Sequence, residues 1–244
     1  MARLEASYKH YDFIKSFDRV NEILNASDTN FAEVDIIPSR DELTFTNGFY
    51  VNCSAVFADI RDSSNLPTKY QRPTLARIYR SYISEVVAVI NGAVSCKEIT
   101  ISGDCASGIF DAAFKWQIAE VFGVAYRINS LVRVLNYRLK KRGIEPISVG
   151  IGMSYGRALM IKAGYKGSGI NEVVWMGDVV NEASKLAGYG NATWNDHPLM
   201  VSSSFHSNLD EHSQGLLSWN WSRSCYHGNV VDSAMEEWYQ ENCS

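Results

Sequence analysis

The stretch FYVNCSAVFADI, residues 49–60, alternates apolar with polar side chains and is rich in β-forming residues. This alternation predicts a strand that ends next to the carboxylate of Asp59. A second stretch, EITISGDCASGIFDA at residues 98–112, predicts two strands joined by a hairpin turn at Ser102-Gly103-Asp104. Apolar side chains at helical spacing over residues 69–91 predict a helix between them. The predicted order is therefore strand, helix, strand, strand.

Further helices and strands are predicted on both sides of this unit. Residues 8–25 predict a helix that caps the domain or pairs with a partner chain, and residues 113–141 predict a long helix that ends in the cationic LKKR. The segment ISVGIGMSYGRALMIKAG, residues 147–164, predicts a second hairpin with its turn near Ser154-Tyr155-Gly156. The segment VVWMGDVVNEASKLAGYG, residues 173–190, predicts the end of a strand followed by a helix.

The C-terminal part of the sequence predicts the last elements. HPLMVSSSF, residues 197–205, predicts a strand and a short helix, and SWNWS with the segment ending in EEWYQ predicts the last strands. Because strands neighbour one another as hairpins and long helices intervene, the pattern favours an α+β fold, with a mostly antiparallel sheet and helices on one face. We expect the domain to occupy residues 47–244, after an N-terminal helix and connection in residues 1–46.

Composition excludes several classes of function. A length of 244 residues with 46% hydrophobic side chains suits one large domain, and a net charge of −4 argues against a basic face for nucleic acid. The five cysteines are scattered without a CxxC pair, which is typical of reduced thiols in a cytoplasm. The opening MARLEASYKHYDF lacks the apolar core of a signal peptide, and no apolar stretch approaches the roughly 20 residues of a membrane span. We therefore expect a cytoplasmic protein without direct membrane contact.

Two isolated carboxylates, Asp59 and Asp104, each stand at a strand end next to a turn. A carboxylate in such a place is costly to bury unless a cation meets it. Taken singly, each aspartate is better explained as a turn residue that bonds its own backbone. The pair, together with the motifs around it, favours a functional site.

Four motifs occur along the chain in a fixed order: FADI at 57–60, SGD at 102–104, GIGMSYGR at 150–157 and WMGDVVNEASK at 175–185. In this order they resemble the catalytic domain of class III nucleotidyl cyclases, the adenylate and guanylate cyclase family, from about residue 49 to the end. The resemblance implies a ferredoxin-like βαββαβ core with added elements. It also implies a nucleoside triphosphate substrate and a head-to-tail homodimer with active sites at its interface.

The same resemblance implies a metal site. Asp59 and Asp104 match the two metal-binding aspartates, and the carbonyl of Ile60 matches the main-chain ligand. The implied cofactors are two divalent metal ions, Mg²⁺ or Mn²⁺, whose chemistry suits phosphoryl transfer. The loop RDSSN that follows, with Ser63 and Ser64, would offer backbone amides to the β- and γ-phosphates.

Catalytic side chains are implied by the two later motifs. Arg157 matches a phosphate-contacting arginine, and Asn181 matches the asparagine that orients the ribose. Lys185, one helical turn after Asn181, occupies the position of the arginine that stabilises charge in the transition state. This is a departure from the family, because lysine supplies a charge without the bidentate fork of arginine. Arg223 is a candidate for the C-terminal contact with the triphosphate.

The base-reading positions also depart from the family. They fall on Thr100 and Val174, and neither the adenine nor the guanine pattern of side chains is present. The connection before Asp104 is longer than usual, so a bulge could bring Lys97 or Glu98 to the place of Thr100.

These departures narrow the resemblance to one group. A short chain without a sensor domain, a preceding helix and a non-purine pocket resemble the bacterial pyrimidine cyclases of anti-phage defence, the Pycsar cyclases. The implied product is cyclic UMP, with cyclic CMP second, sensed by a separately encoded effector. Tyr50 is a candidate for shortening the pocket around a pyrimidine. Two alternatives stay open: a purine cyclase with an atypical pocket, and a silent cyclase-like domain that binds a nucleotide or a partner.

Overall fold

The predicted strand at 49–60 lies in the interior of the sheet in a computed structural model that describes residues 5, 6 and 8–243. Residues 1–4 and 7 of the predicted N-terminal segment, and residue 244, lie outside the described residues. The strands are β1 Phe31–Val34, β2 Gly48–Ile60, β3 Cys96–Ser102, β4 Cys105–Asp111, β5 Val149–Tyr165, β6 Ile170–Met176, β7 Leu199–Val201, β8 Ser218–Asn220 and β9 Cys225–Gly228. The helices are α1 Phe13–Leu24, α2 Leu66–Lys69, α3 Arg72–Asn91, α4 Lys115–Lys140, α5 Asp178–Tyr189, α6 Ser203–His206, α7 Glu211–Gly215 and α8 Ser233–Asn242.

The strands form one nine-stranded sheet in the order β3-β4-β2-β5-β7-β9-β8, with β1 paired to β2 and β6 paired to β5. The pairs β1–β2 and β5–β7 are parallel and the other six are antiparallel. The succession β2-α3-β3-β4-α4-β5 is a βαββαβ unit whose strands lie side by side as β5-β2-β4-β3. This is the ferredoxin-like arrangement, so the predicted α+β fold class is confirmed.

Helices cover both faces of the sheet, and not one face as the sequence pattern favoured. Val56, Ala58 and Ile60 of β2 pack in one core cluster with α3 and α4, whereas Val51 and Cys53 pack in a second cluster that includes α5. Because successive side chains of a strand point to opposite faces, α5 lies across the sheet from the two long helices. Asp59 alternates with Ala58 and Ile60, so it belongs to the α5 face.

The predicted hairpin at 147–164 is wrong. The segment is one continuous strand, β5, and Ser154, Tyr155 and Gly156 pair with β2 in its middle. β2 is 13 residues long and offers β5 a backbone partner along its whole length, so an extended chain leaves fewer groups unpaired than a turn would.

The glycines of this segment give close packing instead of a turn. A Cβ on Gly152 would lie 2.0 Å from the carbonyl oxygen of Ala183, and one on Gly150 would lie 2.0 Å from that of Ala187. Both glycines therefore let α5 approach the strand closely.

The C-terminal prediction is correct for SWNWS, which contains β8, and wrong for EEWYQ, which lies in α8. The side chain of Asp232 accepts a hydrogen bond from the backbone N–H of Met235 and so caps this helix. Arg133 of α4 pairs with Glu236, which holds α8 against the long helix. Within the part of the chain that the structure describes, no helix has the length and apolar character to cross a bilayer.

Candidate active site

The two predicted metal aspartates lie side by side. Asp59 is the penultimate residue of β2, and Asp104 lies in the β3–β4 turn, where Gly103 takes the left-handed φ of +64° that this turn requires. The two strands bring the carboxylates together because Ala58 of β2 pairs with Ala106 of β4. The hairpin turn predicted from the sequence therefore places Asp104 next to the end of β2.

The electrostatics of this pair show how close the carboxylates are. Burial raises the pKa of Asp59, and Asp104 raises it further through its charge and a side-chain hydrogen bond, while the nearby Arg61 lowers it. One oxygen of Asp104, Oδ2, is buried and has no hydrogen-bond partner among the described residues. Two adjacent carboxylates with an unsatisfied oxygen form a donor set that suits a hard divalent cation.

The pair could hold a cation only with additional ligands. Among residues 5, 6 and 8–243, no group of three or more His, Cys, Asp and Glu side chains could enclose a metal ion. Further oxygens would therefore come from the main chain, water or the phosphates of a substrate. Ile60, the predicted main-chain ligand, is the last residue of β2 and directly follows Asp59.

The loop after β2 is tightly folded beside the carboxylates. Asp62 takes a left-handed φ of +53°, and a short 3₁₀ turn, Ser63–Asn65, follows it. The Ser63 hydroxyl is hydrogen-bonded to Tyr79 of α3, whereas Ser64 is exposed. Both predicted substrate-binding serines are thus next to the carboxylate pair, and only one of them has its hydroxyl engaged by α3.

Arg61 is a feature of the site that the sequence interpretation did not include. Its backbone N–H donates to the carbonyl of Ser148 at 2.8 Å, and its Nη1 donates to the carbonyl of Gly188 at the end of α5 at 2.7 Å. Its Nε is buried without a partner among the described residues. Its place directly after the FADI motif was the available signal, because a side chain there must lie near Asp59.

Two tyrosines of α3 stand behind the carboxylates. The pKa of both Tyr79 and Tyr82 is raised by burial and by the charges of Asp59 and Asp104. Tyr82 is completely buried, and its hydroxyl has no partner among the described residues. Burial also raises the pKa of the neighbouring Cys105 thiol to about 12, so this cysteine stays protonated and unreactive.

α5 presents the second set of predicted residues. Asn181 and Lys185 are exposed and lie one turn apart, while Val179 and Ala183 on the opposite side of the helix are buried against the sheet. The ammonium of Lys185 lies 5.8 Å from the centroid of the Tyr189 ring. The apolar side of α5 is therefore packed against the sheet, and the amide of Asn181 and the ammonium of Lys185 are exposed to solvent.

Arg223 is held by a buried carboxylate. Its guanidinium binds both oxygens of Asp196, with a shortest distance of 2.8 Å, and it also stacks on Tyr189. The hydrogen bond from Arg223 lowers the pKa of Asp196 to about 2. Because its charge is neutralised within the protein, Arg223 is a poor candidate for the predicted triphosphate contact.

Arg157 and Tyr50 lie together, away from the carboxylate pair. Arg157 pairs with Glu33, and its guanidinium lies 3.8 Å from the centroid of the Tyr50 ring. Arg157 is opposite Asn52 on β2, seven residues from Asp59, which is about 23 Å along the strand. Tyr50 is also an even-numbered residue of β2, so it faces away from the side that carries Asp59. One chain therefore does not bring these two predicted residues to its own carboxylates.

The predicted base-reading residues occupy two different strands. Thr100 lies half-buried on β3, and Val174 is 38% exposed on β6. β3 contains the bulge that the sequence allowed, between Cys96 and Glu98, and Lys97 there pairs with Asp111 at 3.0 Å.

Glu98 anchors a polar cluster beside these positions. It is buried, accepts a hydrogen bond from Trp175 Nε1 at 3.1 Å and pairs with Arg40 at 3.2 Å. Burial raises the pKa of Glu98, and the contacts with Trp175 and Arg40 act against this rise. A cavity of about 540 Å³ lies between Arg40, Lys97 and Met160. Its size suits a small heterocycle with a few polar contacts.

Solved structures of class III cyclases share the fold. A class III adenylyl cyclase-like ATP-binding protein from Pseudomonas aeruginosa has a TM-score of 0.70 and 18% identity, covering 91% of this chain and 47% of that one. The adenylyl cyclase CyaB from P. aeruginosa has a TM-score of 0.62 and 18% identity, covering 77% and 97%. The chain therefore has the class III nucleotidyl cyclase fold.

Curated relatives extend this assignment. The uridylate cyclase of Gulbenkiania mobilis is 38% identical over 98% of this chain and 100% of its own length. The uridylate cyclase of Treponema porcinum is also 38% identical, over 93% of this chain and 80% of its own length. No family model matches the sequence. The chain belongs to the uridylate cyclase family and is a nucleotidyl cyclase.

Proposed function

We propose that this enzyme converts UTP into 3′,5′-cyclic UMP and pyrophosphate with two divalent cations bound at Asp59 and Asp104. The observation that carries the proposal is the adjacency of these two carboxylates at the end of β2. In the reaction, the ribose 3′-oxygen bonds to the α-phosphorus and its proton passes to water. The bond from the α-phosphorus to the β-bridging oxygen breaks, and pyrophosphate leaves.

The chain's own groups divide this work. Divalent cations at the carboxylates would acidify the 3′-hydroxyl and neutralise charge on the triphosphate. Asp59, Asp104 and the carbonyl of Ile60 hold the metal side of the site, and the amides of the loop with Ser63 and Ser64 receive the outer phosphates. Arg61, beside Asp59, adds a positive charge on the same side.

We further propose that the protein acts as a homodimer with two shared sites. Asn181 and Lys185 are exposed on α5, where a partner's bound nucleotide could reach them. In this scheme Asn181 orients the ribose, and Lys185 stabilises charge that develops on the phosphates. Arg157 would then contact a phosphate only by reaching a site of the partner chain.

The choice of UTP rests on the base-reading side chains and on the relatives. Thr100 and Val174 do not form a purine-reading pair, and the similar proteins from G. mobilis and T. porcinum are named uridylate cyclases. Lys97 and Glu98 are the polar groups beside the cavity, while Tyr50 would limit the space for a base only across the dimer interface. CTP is the second candidate, because a threonine hydroxyl can donate or accept and so does not separate uracil from cytosine.

The experiment that tests the substrate is a competition among all four ribonucleoside triphosphates. Equal amounts of ATP, GTP, CTP and UTP with Mn²⁺ should give mainly cyclic UMP by mass spectrometry. Mainly cyclic AMP or cyclic GMP would overturn the pyrimidine assignment and favour a purine cyclase with an atypical pocket. No product with any triphosphate would favour a silent binding domain.

A role in the cell follows from the same proposal. We propose that the cyclic nucleotide is a second messenger of bacterial anti-phage defence, made in the cytoplasm and sensed by a separately encoded effector. Cells that carry the effector and this chain should resist phage infection, and the Asp104→Ala variant should remove the resistance. Equal plaque counts for the two strains would contradict this role.

A further inference from the structure

Two of the six tryptophans lie almost entirely in solvent. Trp194, in the loop after α5, is 97% exposed, and Trp221, in the turn between β8 and β9, is 87% exposed. The other four tryptophans are at most 56% exposed. An indole in water forgoes the free energy of burying a large apolar area, so two of them on one surface indicate a contact that the single chain does not complete.

One buried carboxylate, Asp196, ties the two loops together. It accepts hydrogen bonds from the hydroxyl of Thr193 at 2.7 Å and from the side-chain amide of Asn220 at 3.0 Å. Thr193 directly precedes Trp194, and Asn220 directly precedes Trp221. The two tryptophans are therefore presented from a shared, hydrogen-bonded base, and little conformational entropy is lost when a partner covers them.

This aromatic surface continues onto the exposed side of α5. Arg223, two residues after Trp221, has its guanidinium carbon 4.5 Å from the centroid of the Tyr189 ring. The ammonium of Lys185 lies 5.8 Å from the same centroid. The surface that carries the two tryptophans therefore adjoins a cation that the proposed function assigns to the nucleotide of a partner chain.

We propose that Trp194 and Trp221 are the anchors by which one protomer docks on a second copy of this chain, so that Lys185 comes to lie beside the second copy's nucleotide. This inference rests on the proposed function, because it requires sites shared between two chains. Two covered tryptophans bury about 300–500 Å², a large part of the roughly 800 Å² that each partner of a standard interface contributes. Tryptophan is also enriched among the residues that dominate binding energy.

The test is the dimer dissociation constant of the full chain, measured by sedimentation equilibrium. Trp194→Ala and Trp221→Ala should each weaken dimerisation about 30-fold, the range of an interface hot spot, and should keep the wild-type circular dichroism spectrum. Trp116→Ala is the matched control, because Trp116 is an exposed tryptophan of α4, on the opposite face of the sheet from α5. Wild-type dissociation constants in both loop variants would overturn the inference.

Tryptophan fluorescence locates the contact. Dilution of the wild type from above to below its dissociation constant should move the emission to longer wavelength, because the two indoles return to water. The double variant Trp194→Phe/Trp221→Phe should lose this shift, whereas Trp116→Phe should keep it. A shift of wild-type size in the double variant would mean that other residues form the contact and would overturn the inference.

Activity at increasing protein concentration distinguishes docking from a direct role in the reaction. With UTP and Mn²⁺, Trp194→Ala should be less active than the wild type when dilute and should reach wild-type turnover per chain once it is fully dimeric. A deficit that persists in the dimeric variant would assign Trp194 to the reaction and overturn its role as an anchor.

The two measurements also separate this inference from the proposed function. If the wild type makes cyclic UMP while both alanine variants dimerise normally, the docking role is wrong and the proposed function stands. If the alanine variants dimerise weakly while the wild type converts no triphosphate, the docking surface stands and the proposed function is wrong.

Discussion

The end of β2 and the exposed side of α5 are built in opposite ways. Asp59 and Asp104 are half-buried, adjacent and mutually repulsive, with one oxygen left without a described partner. Asn181 and Lys185 are exposed on a helix whose other side is fixed against the sheet. In the first region, a bound cation would relieve the repulsion between the two carboxylates. In the second region, the side chains of Asn181 and Lys185 are accessible to a neighbouring molecule. The difference is what a site shared between two chains requires.

The largest expected effect comes from breaking the carboxylate pair. Asp59→Ala and Asp104→Ala should each lower cyclase turnover on the order of 10³-fold or more, because each removes one of the two proposed metal ligands. Turnover is measured by product formation with UTP and Mn²⁺. Glu85→Ala, an exposed carboxylate of α3, is the control and should retain full turnover. Near wild-type turnover of either aspartate variant would mean that the metals bind elsewhere.

The second prediction tests whether the two regions serve different sites of one dimer. Asp59→Ala and Asn181→Ala chains are each inactive alone, but after subunit exchange half of the dimers are mixed and contain one intact site. Activity should therefore recover to about a quarter of the wild-type value. Mixing Asp59→Ala with Asp104→Ala is the control, since both changes affect the same half-site and no intact site can form. The absence of recovery after verified exchange would contradict shared sites.

A smaller effect is expected from the cation of α5. Lys185→Ala should lower kcat about 10- to 100-fold and change KM less, because charge develops mainly in the transition state. Lys185→Arg restores both the charge and the bidentate fork, so it should retain or raise kcat. Steady-state kinetics with UTP check both values. An unchanged kcat in Lys185→Ala would mean that another cation stabilises the transition state.

Arg157 should have less influence than Lys185. Its charge is paired with Glu33 and its plane stacks on Tyr50, far along β2 from the carboxylates. Arg157→Ala should change kcat/KM by no more than about threefold, since exposed ion pairs contribute little. Arg61→Ala is the informative comparison, and it should raise KM for UTP more than Arg157→Ala does. The reverse order would show that Arg157 reaches the triphosphate in the partner's site.

The smallest effect concerns stability without metal. The pKa of Asp59 in the folded protein is raised above its ordinary 3.8, so the folded state binds a proton here that the unfolded chain has already released. Asp59 therefore stabilises the folded state at low pH, and this contribution is lost as the pH rises through its pKa in the folded protein. Metal-free Asp59→Asn should therefore melt above the wild type at pH 7, with a difference that shrinks toward pH 4. A constant difference across this range would contradict the raised pKa.

Saturation with metal should reverse the order of stability, so that the wild type becomes more stable than Asp59→Asn. Mn²⁺ at a hundred times its Kd should stabilise the wild type by about 2.7 kcal/mol, whereas Asp59→Asn should gain little. Calorimetric scans with and without Mn²⁺ measure both quantities. Equal gains in the two proteins would mean that Asp59 is not a ligand.

Sequence patterns predicted the positions of strands and turns well where the alternation of apolar and polar residues was clear. The strand at Gly48–Ile60 and the hairpin around Gly103 were predicted within a few residues, because alternation and a turn glycine are local signals. The segment Val149–Tyr165 was misjudged because its glycines are typical of turns but here allow α5 to approach. EEWYQ was misjudged because aromatic residues favour strands, while the cap at Asp232 favours a helix.

The candidate site was predicted unevenly for a similar reason. Asp59, Asp104, Asn181 and Lys185 stand in motifs that resemble those of class III cyclases, and that resemblance singled them out as candidates. Arg61, Tyr79 and Tyr82 were missed or treated as core, because only packing brings α3 and the end of β2 together. A helical tyrosine with apolar neighbours gives no sign in the sequence that the charges of two aspartates raise the pKa of its hydroxyl.

By itself, the sequence determined the class of fold and the order of the motifs, since alternation and turn glycines act over a few residues, and its resemblance to class III cyclases made Asp59 and Asp104 the candidate metal residues. Only the tertiary structure decided which groups meet. It paired Asp59 with Asp104, neutralised Arg223 with Asp196 and kept Arg157 about 23 Å along the strand from Asp59. The physical reason is that burial and charge contacts depend on distances between elements, which the order of residues along one chain does not contain.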